Sequence, residues 1–260
     1  MPPFARTPLA GLTVHAVTAF ADNYLWLLQA QQRAIAIDPG DADAVHDALQ
    51  ALGLTLDAIF ITHHHRDHIG GLQALAARWR CPVFGPDDSR IEGIDRPCRD
   101  GDRIARDGFP EFEVWQVPGH TRTHLAYRLD DAIFVGDTLF GGGCGRIFEG
   151  DAAQLHASLQ RIAALPGTTL VFCSHEYTRA NLAFAAVVEP GNAAVAERVR
   201  RLDPQRPSVP FALAGELDSN VFLRCGKPPV RAAAEAHFGA SFADTGAVFA
   251  AVRRWKDSHV

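Results

Sequence analysis

Thr62-His63-His64-His65-Arg66-Asp67-His68 follows the apolar run Ala58-Ile59-Phe60-Ile61 and precedes Gly70-Gly71. A β-branched and aromatic run closed by turn residues is the pattern of a buried strand, so the histidines stand just past a strand end. Four imidazoles and one carboxylate within six residues, His63 to His68, form a dense set of borderline-soft metal ligands. On a short loop turning into a helix, His63 and His65 point one way while Asp67 and His68 swing past them. That arrangement suits two adjacent cations better than one. A lone histidine is more often structural than a ligand, but four of them at a strand end are poorly explained as a chance solvated cluster.

Working outward, residues 12–18 and 24–30 read as paired strands with Asp22-Asn23 as their turn. Ala34 to Ile37 is a further strand stopped by Asp38-Pro39-Gly40, and Asp41 or Asp43 then caps a helix through Leu52. Leu72 to Trp79 is predicted as the helix after the histidine loop. Phe112 to Val117 is a strand ending at Pro118-Gly119-His120. Strands at 124–129 and 132–135 follow, the second ending in Gly136-Asp137 and leading to the glycine-rich loop Gly141 to Arg146. Asp151 caps a helix whose Leu155, Leu159 and Ile162 share one face, and strand 169–173 ends at Ser174-His175. From about residue 177 no strand pattern remains. Helices are predicted near 178–188, 192–202, 229–238 and 244–255, so a strand-and-helix domain precedes a small helical one.

His63, His120, Asp137 and His175 each come just after a predicted strand. Loops at one end of a sheet gather functional groups, because strands end together there. With His65, Asp67 and His68 the inventory is five histidines and two aspartates, more than one tetrahedral ion accepts. Two metals sharing a bridging carboxylate are the economical solution. Metals about 3.5–4 Å apart can bind one water between them, lower its pKa towards neutrality and polarise a carbonyl. No Gly-x-Ser-x-Gly elbow and no dinucleotide glycine fingerprint accompany the cluster. The implied reaction is metal-assisted hydrolysis.

With 260 residues, 47% hydrophobic and 21% charged, the chain has the composition of an ordinary soluble globular protein with a sizeable core. A net charge of −5 argues against general nucleic-acid binding. Cys81, Cys98, Cys144, Cys173 and Cys225 are scattered, without a Cys-x-x-Cys pair, which favours reduced thiols over a disulfide framework or a cysteine zinc site. No signal-peptide pattern occupies Met1 to Gly11, and no run approaches the ~20 apolar residues of a membrane helix. A cytoplasmic protein that binds neither membrane nor nucleic acid is expected.

These residues carry a resemblance. The histidine loop, with His120, Asp137 and His175, resembles the metallo-β-lactamase superfamily. Within it the chain is similar to glyoxalase II, the hydroxyacylglutathione hydrolases, at Asp22 to Leu27, Asp38-Pro39-Gly40-Asp41, Gly136 to Phe140, Cys144-Gly145-Arg146, His175 to Thr178, Val188 to Asn192 and Arg253 to Asp257. The resemblance spans nearly the whole chain, the helical tail included. It implies an α/β (α+β) fold, an αββα sandwich over residues 1–175, followed by a helical glutathione-binding domain over 176–260. It further implies that His63, His65 and His120 hold one metal and that Asp67, His68 and His175 hold the other. Asp137 would bridge the two, with Asp67 and Asp137 as the catalytic carboxylates. Zinc is the expected metal, iron and manganese being alternatives. The implied substrate is S-D-lactoylglutathione, hydrolysed to D-lactate and glutathione in methylglyoxal detoxification, and a monomer is expected. Arg146, Tyr177, Arg253 and Lys256 match glutathione-holding positions, which suits a tripeptide with two carboxylates. Lys256 is one of only two lysines, beside Lys227.

The chain departs from the family pattern at Phe148, where many relatives carry a tyrosine that touches glutathione, and in the proline-rich Leu202 to Asn220. His64 belongs to the motif but is not expected to be a ligand. The rival readings are a mononuclear-iron persulfide dioxygenase, a lactonase, or a silent metal-binding scaffold.

Overall fold

The structure is a computed structural model that describes residues 5–9, 11–203 and 205–259. The chain divides into two units, Met1–Gln116 with Thr123–Gly136, and Val117–Arg122 with Asp137–Val260.

In the first unit, β1 (Ala5–Leu9), β2 (Leu12–Ala19), β3 (Asn23–Ala30), β4 (Arg33–Ile37), β5 (Thr55–Phe60), β6 (Val83–Pro86) and β7 (Arg96–Cys98) lie side by side in chain order. Strands β1 to β4 pair antiparallel through short turns, whereas β4 to β7 pair parallel. Parallel neighbours need a crossover, and α1 (Ala42–Leu52) and α3 (Leu72–Trp79) supply two of them. Asp41 caps α1 by accepting from the backbone N–H groups of Asp43 and Ala44, and Gly53 ends it in the left-handed conformation. Leu25 to Leu28 of β3 are all buried, the continuous apolar run of a strand covered on both faces.

Period-two alternation on β5 separates two packing layers. Ile59 and Ile61 join Val45, Leu49, Leu72 and Leu75 in the core beneath α1 and α3. Phe60 faces the other way and meets Phe112 and Tyr127 at ring distances of 5.0 and 4.9 Å. Those rings belong to β9 (Phe112–Gln116) and β10 (Leu125–Leu129), which pair antiparallel with β8 (Arg103–Ile104) and β11 (Ala132–Gly136). Burying a phenylalanine side chain of this kind stabilises the fold by about 1.5–3 kcal/mol. The Tyr127 hydroxyl donates to the Ile61 carbonyl at 2.6 Å, which ties the end of β5 to the second layer.

The second unit holds β12 (Leu139–Phe140) paired with β13 (Gly143–Cys144), α4 (Ala152–Ala163), β14 (Leu170–Cys173) and β15 (Phe211–Ala212). Its helices α5 (Thr178–Val188), α6 (Ala193–Arg201), α7 (Leu213–Ser219), α8 (Pro228–Phe238) and α9 (Thr245–Ser258) fill the tail. Asp151 and Gln154 make a capping box at α4, and Asp244 caps α9 through the Ala247 N–H. Phe249 of α9 packs on Phe222 at 5.9 Å and on His156 of α4 at 5.1 Å, while Trp255 stacks on His237 at 3.9 Å.

The mixed α/β class and the helical tail agree with expectation, but several elements differ, with β7, β12 and β13 lying where no strand was read. Strand β1 was not predicted: it is short, largely exposed and carries Pro8, and it exists through pairing with β2 from Leu9↔Leu12 outward. Strand β15 and α7 fall where no pattern was read. The two residues of β15 are ordered by β14, with Val171 opposite Phe211. All five cysteines are free and buried, and burial pushes the thiols of Cys81, Cys98 and Cys144 up to about 11. Among the described residues no helix is long and apolar enough to cross a membrane. Met1 to Phe4, on which the amino-terminal reading partly rests, lie outside the described residues.

Candidate functional site

In the first unit, parallel pairing sets Ile37 opposite Phe60, so the segments leaving β4 and β5 emerge together. Asp38 leaves β4 and Thr62 leaves β5. The Asp38 carboxylate accepts from the Thr62 N–H at 2.7 Å through Oδ1 and from the Thr62 hydroxyl at 2.7 Å through Oδ2. Because Thr62 spends its hydroxyl proton on Asp38, it is left to accept from His63 Nδ1 at 3.0 Å. Asp38 Oδ2 also accepts from His68 Nδ1 at 2.9 Å. With both Nδ1 atoms acting as donors, the Nε2 lone pairs of His63 and His68 are turned outward as ligands. Asp38 is buried, and these bonds offset the cost of desolvating its carboxylate.

His63 Nε2 stands 3.0 Å from His65 Nδ1. Asp67 and His68 lie in α2 (Arg66–Ile69), with Asp67 Oδ2 3.4 Å from His68 Nε2. Asn23, at the start of β3, donates to the same Asp67 oxygen at 2.9 Å. Gly40 is required here, since a Cβ at that position would lie 1.7 Å from the Asp67 carbonyl oxygen. His64 points elsewhere, its Nδ1 4.0 Å from Asp88. Asp88 is held well below the usual carboxylate range, first by Arg90 and also by Thr123. The buried ring of His124 stacks on His63 at 4.6 Å.

In the second unit, Asp137 Oδ2 lies 3.4 Å from His120 Nε2 and 3.4 Å from His175 Nε2. One carboxylate oxygen therefore faces two imidazoles. His120 Nδ1 donates to the Arg146 carbonyl at 2.7 Å, which again leaves Nε2 as the ligand atom. A Cβ on Gly145 would come within 2.0 Å of the Asp137 carbonyl oxygen and 3.1 Å of His120 Nδ1, so only glycine fits.

The glycine-rich loop is held residue by residue from the helical tail. Asn181 donates to Gly141 O at 3.1 Å, and the Gly142 N–H donates to Glu216 at 2.8 Å. Asn220 donates to Gly143 O at 2.9 Å, and Arg253 donates to Cys144 O at 3.0 Å. Glu216 is fully buried and paired with Arg198 at 2.6 Å.

Of the residues expected to hold substrate, Tyr177 stacks parallel on His175 at 4.8 Å. The Arg146 side chain is 63% exposed and lies 3.6 Å from Asp257. Phe148 presents its edge to His120 at 5.3 Å, with the Arg146 guanidinium over its ring at 5.8 Å. Lys256 is half-buried with its ammonium 5.4 Å from the Phe184 ring. Burial, then the Arg253 charge, lowers its pKa. Arg253 differs from the others: it is only 7% exposed, and its guanidinium already binds Cys144 O and Asp257.

The donor set fits divalent transition metals. The ligand nitrogens of His63, His68 and His120 are presented by hydrogen bonds on the opposite ring nitrogen, and carboxylate oxygens face imidazole nitrogens in both units. Sequence reading missed Asp38, Thr62, Asn23, His124, Glu216 and Asn220. Thr62 had a signal as the first residue of the histidine motif, and Asp38 and Asn23 had one in the turn motifs Asp38-Pro39-Gly40 and Asp22-Asn23.

Comparison with known proteins yields two family matches. Residues 176–259 match the hydroxyacylglutathione hydrolase C-terminus, and residues 22–97 and 84–175 match the metallo-beta-lactamase superfamily. A hydroxyacylglutathione hydrolase of Alkalilimnicola ehrlichii is 49% identical over 249 residues, covering 93% of this chain and 97% of the relative. One from Xanthomonas euvesicatoria is 49% identical over 248 residues, with the same coverage of 93% and 97%. Among solved structures, ETHE1 from Myxococcus xanthus aligns with a TM-score of 0.62 at 26% identity, covering 97% of each chain.

Proposed function

This chain belongs to the hydroxyacylglutathione hydrolases of the metallo-β-lactamase superfamily, and from that premise we propose how its residues hydrolyse a glutathione thioester. It is a metal-dependent hydrolase of the glyoxalase II type, acting on S-D-lactoylglutathione to give D-lactate and glutathione. The C-terminal family match does not favour a persulfide dioxygenase, a lactonase or a silent scaffold.

His63, His65 and His120 would hold one metal, and Asp67, His68 and His175 the other, with Asp137 available to both. Each group combines imidazole with carboxylate donors. The observation that carries this reading is the single Asp137 oxygen at 3.4 Å from both His120 and His175, the posture of a bridging carboxylate. Zinc is the proposed occupant. When bound, such a metal pair supplies a water deprotonated near neutral pH and polarises the acyl carbonyl.

The chain's own groups do the rest. Asp38 and the Arg146 carbonyl hold the imidazoles in the ligating tautomer, and Asn23 fixes Asp67. The attacking oxygen bonds the acyl carbon as the C–S bond breaks. The proton left on that oxygen passes by way of the Asp67 or Asp137 carboxylate to the glutathione thiolate, giving carboxylate and free thiol. Arg146 and Lys256 meet glutathione carboxylates, and Tyr177 lies against the tripeptide, with Arg253 supporting them. Residues 1–175 form the catalytic domain and 176–260 the glutathione-binding one, a division that the ranges of the family matches support. The enzyme works as a cytoplasmic monomer without nucleic-acid or membrane partners.

The test is loss of thioester absorbance with S-D-lactoylglutathione, combined with metal analysis of protein purified without chelators. Turnover with close to two metal equivalents per chain is expected. A stoichiometry that stays at one after reconstitution would sink the binuclear assignment.

A further inference from the structure

Phe20 stands at the turn between β2 and β3 with φ of 53°, and it is 61% exposed. A bulky side chain in the left-handed region brings its Cβ against the backbone, and an exposed ring recovers little of that strain through burial. Neither the core nor the backbone of the turn asks for phenylalanine there. The same turn is tied to the metal ligands, because Asn23, three residues on, donates to Asp67 at 2.9 Å. Phe20 is therefore held at a set place relative to Asp67.

A cavity of about 440 Å³ opens beside it, lined by Phe20, Gly40, Asp41, Arg66, Asp67 and Gly70 among others. That volume lies within the range of small-molecule sites, about 300–1,000 Å³. Its lining joins an aromatic face, a guanidinium and a carboxylate of the ligand set, all within the first unit. Asp67 is proposed above as a metal ligand and proton carrier. The part of the thioester that reacts beside such a carboxylate is the acyl group. A three-carbon hydroxyacyl group fills only a small part of such a space.

We propose that this cavity receives the acyl half of the thioester and that Phe20 is a specificity-determining residue which favours larger, aromatic 2-hydroxyacyl groups by ring contact. The proposal rests on the thioesterase reading. Arg66 offers its donors to the acyl hydroxyl or carbonyl oxygen, and Phe20 offers an apolar face to the substituent beyond.

The experiment compares wild type, Phe20→Ala and Phe20→Leu on S-D-lactoylglutathione and S-D-mandeloylglutathione, and reads the ratio of the two kcat/KM values. Losing one aromatic contact should lower the mandeloyl-to-lactoyl ratio about 3- to 10-fold in Phe20→Ala, and Phe20→Leu should restore part of it. Calorimetric binding of two non-hydrolysable thioethers, S-benzylglutathione and S-methylglutathione, gives a readout independent of turnover. Phe20→Ala should weaken the benzyl compound more than the methyl one. A ratio and a binding difference that both stay at wild-type values would overturn the proposal. Wild-type protein that hydrolyses neither thioester would overturn the underlying reading, and the acyl assignment with it. Because that failure is seen in the wild type and the other only in the variants, the two are distinguishable.

Discussion

Asp38 accepts from Thr62 twice and from His68 once, and through the Thr62 hydroxyl it also sets the tautomer of His63. A carboxylate that accepts only is the one side chain able to satisfy all of these donors; an amide in its place turns N–H groups towards them. Asp38→Asn should therefore leave the strands intact but weaken metal binding about 10- to 100-fold, as read by competition with a chromophoric chelator. Thr62→Val removes the hydroxyl's bond to Asp38 and its link to His63 but leaves the Thr62 N–H and His68 on the carboxylate, and should weaken it less. Equal metal affinity in wild type and Asp38→Asn would remove the orienting role. At this scale the sequence displayed the ligand types at once, because His and Asp advertise their chemistry. It did not display their orienters, since an Asp before Pro-Gly reads equally well as a turn residue.

Loops and helices explain why the tail matters to the ligands. The segment from Gly141 to Cys144 is held by Asn181, Glu216, Asn220 and Arg253, and Gly145 and Arg146 then abut Asp137 and His120. Gly145→Ala forces a methyl into the Asp137 carbonyl, so metal retention and turnover should both fall by at least an order of magnitude. Gly191→Ala, whose added Cβ would meet nothing within 4 Å, is the control that should change neither. The two basic residues of α9 should likewise part company. On the proposed glutathione assignment, Lys256→Ala loses a charge-assisted contact worth about 1.5–3 kcal/mol, so KM should rise about 10- to 150-fold with kcat little changed. Arg253→Ala also frees the buried Cys144 carbonyl, costing about 1–3 kcal/mol of stability and lowering kcat. If Arg253→Ala changed KM alone, with denaturation unaltered, the arginine would be a substrate contact and not a support for the loop.

Each unit also carries a histidine away from the ligands whose surroundings disfavour its charged form, His15 buried and His156 half-buried. Burial lowers the pKa of His15 despite the hydrogen bond its Nε2 donates to Gln29 Oε1, and burial lowers that of His156 against the opposing effect of Asp244. In both, the folded protein binds the proton less readily than the unfolded chain, so stability rises with pH across the window just below the ordinary value of 6.5. The contribution is complete above that value and is lost as pH falls towards the folded-state pKa. Urea midpoints measured between pH 5 and 8 should therefore fall on acidification, and His156→Phe, which keeps a ring against Phe249, should flatten part of the slope. An unchanged slope would show that His156 titrates alike in both states.

The sequence by itself determined what is local. An apolar run closed by turn residues placed β5 and the histidine loop after it, acidic residues marked the starts of α1 and α4, and the residue types pointed to metal-assisted hydrolysis. Each of those signals spans a few residues, where bonding is dictated by neighbours along the chain. Tertiary structure decided what depends on distant partners. Asp38 reaches His68 across 30 residues, Asn23 reaches Asp67 across 44, and Arg253 reaches Cys144 across 109. No periodicity encodes such a pairing, and nothing in α9 marks Arg253 as a buried support while Lys256, one turn on, stays half-exposed. Phe20 illustrates the same limit. Its left-handed backbone and its place beside Asp67 follow from the packing of a turn between two paired strands, not from the residue type.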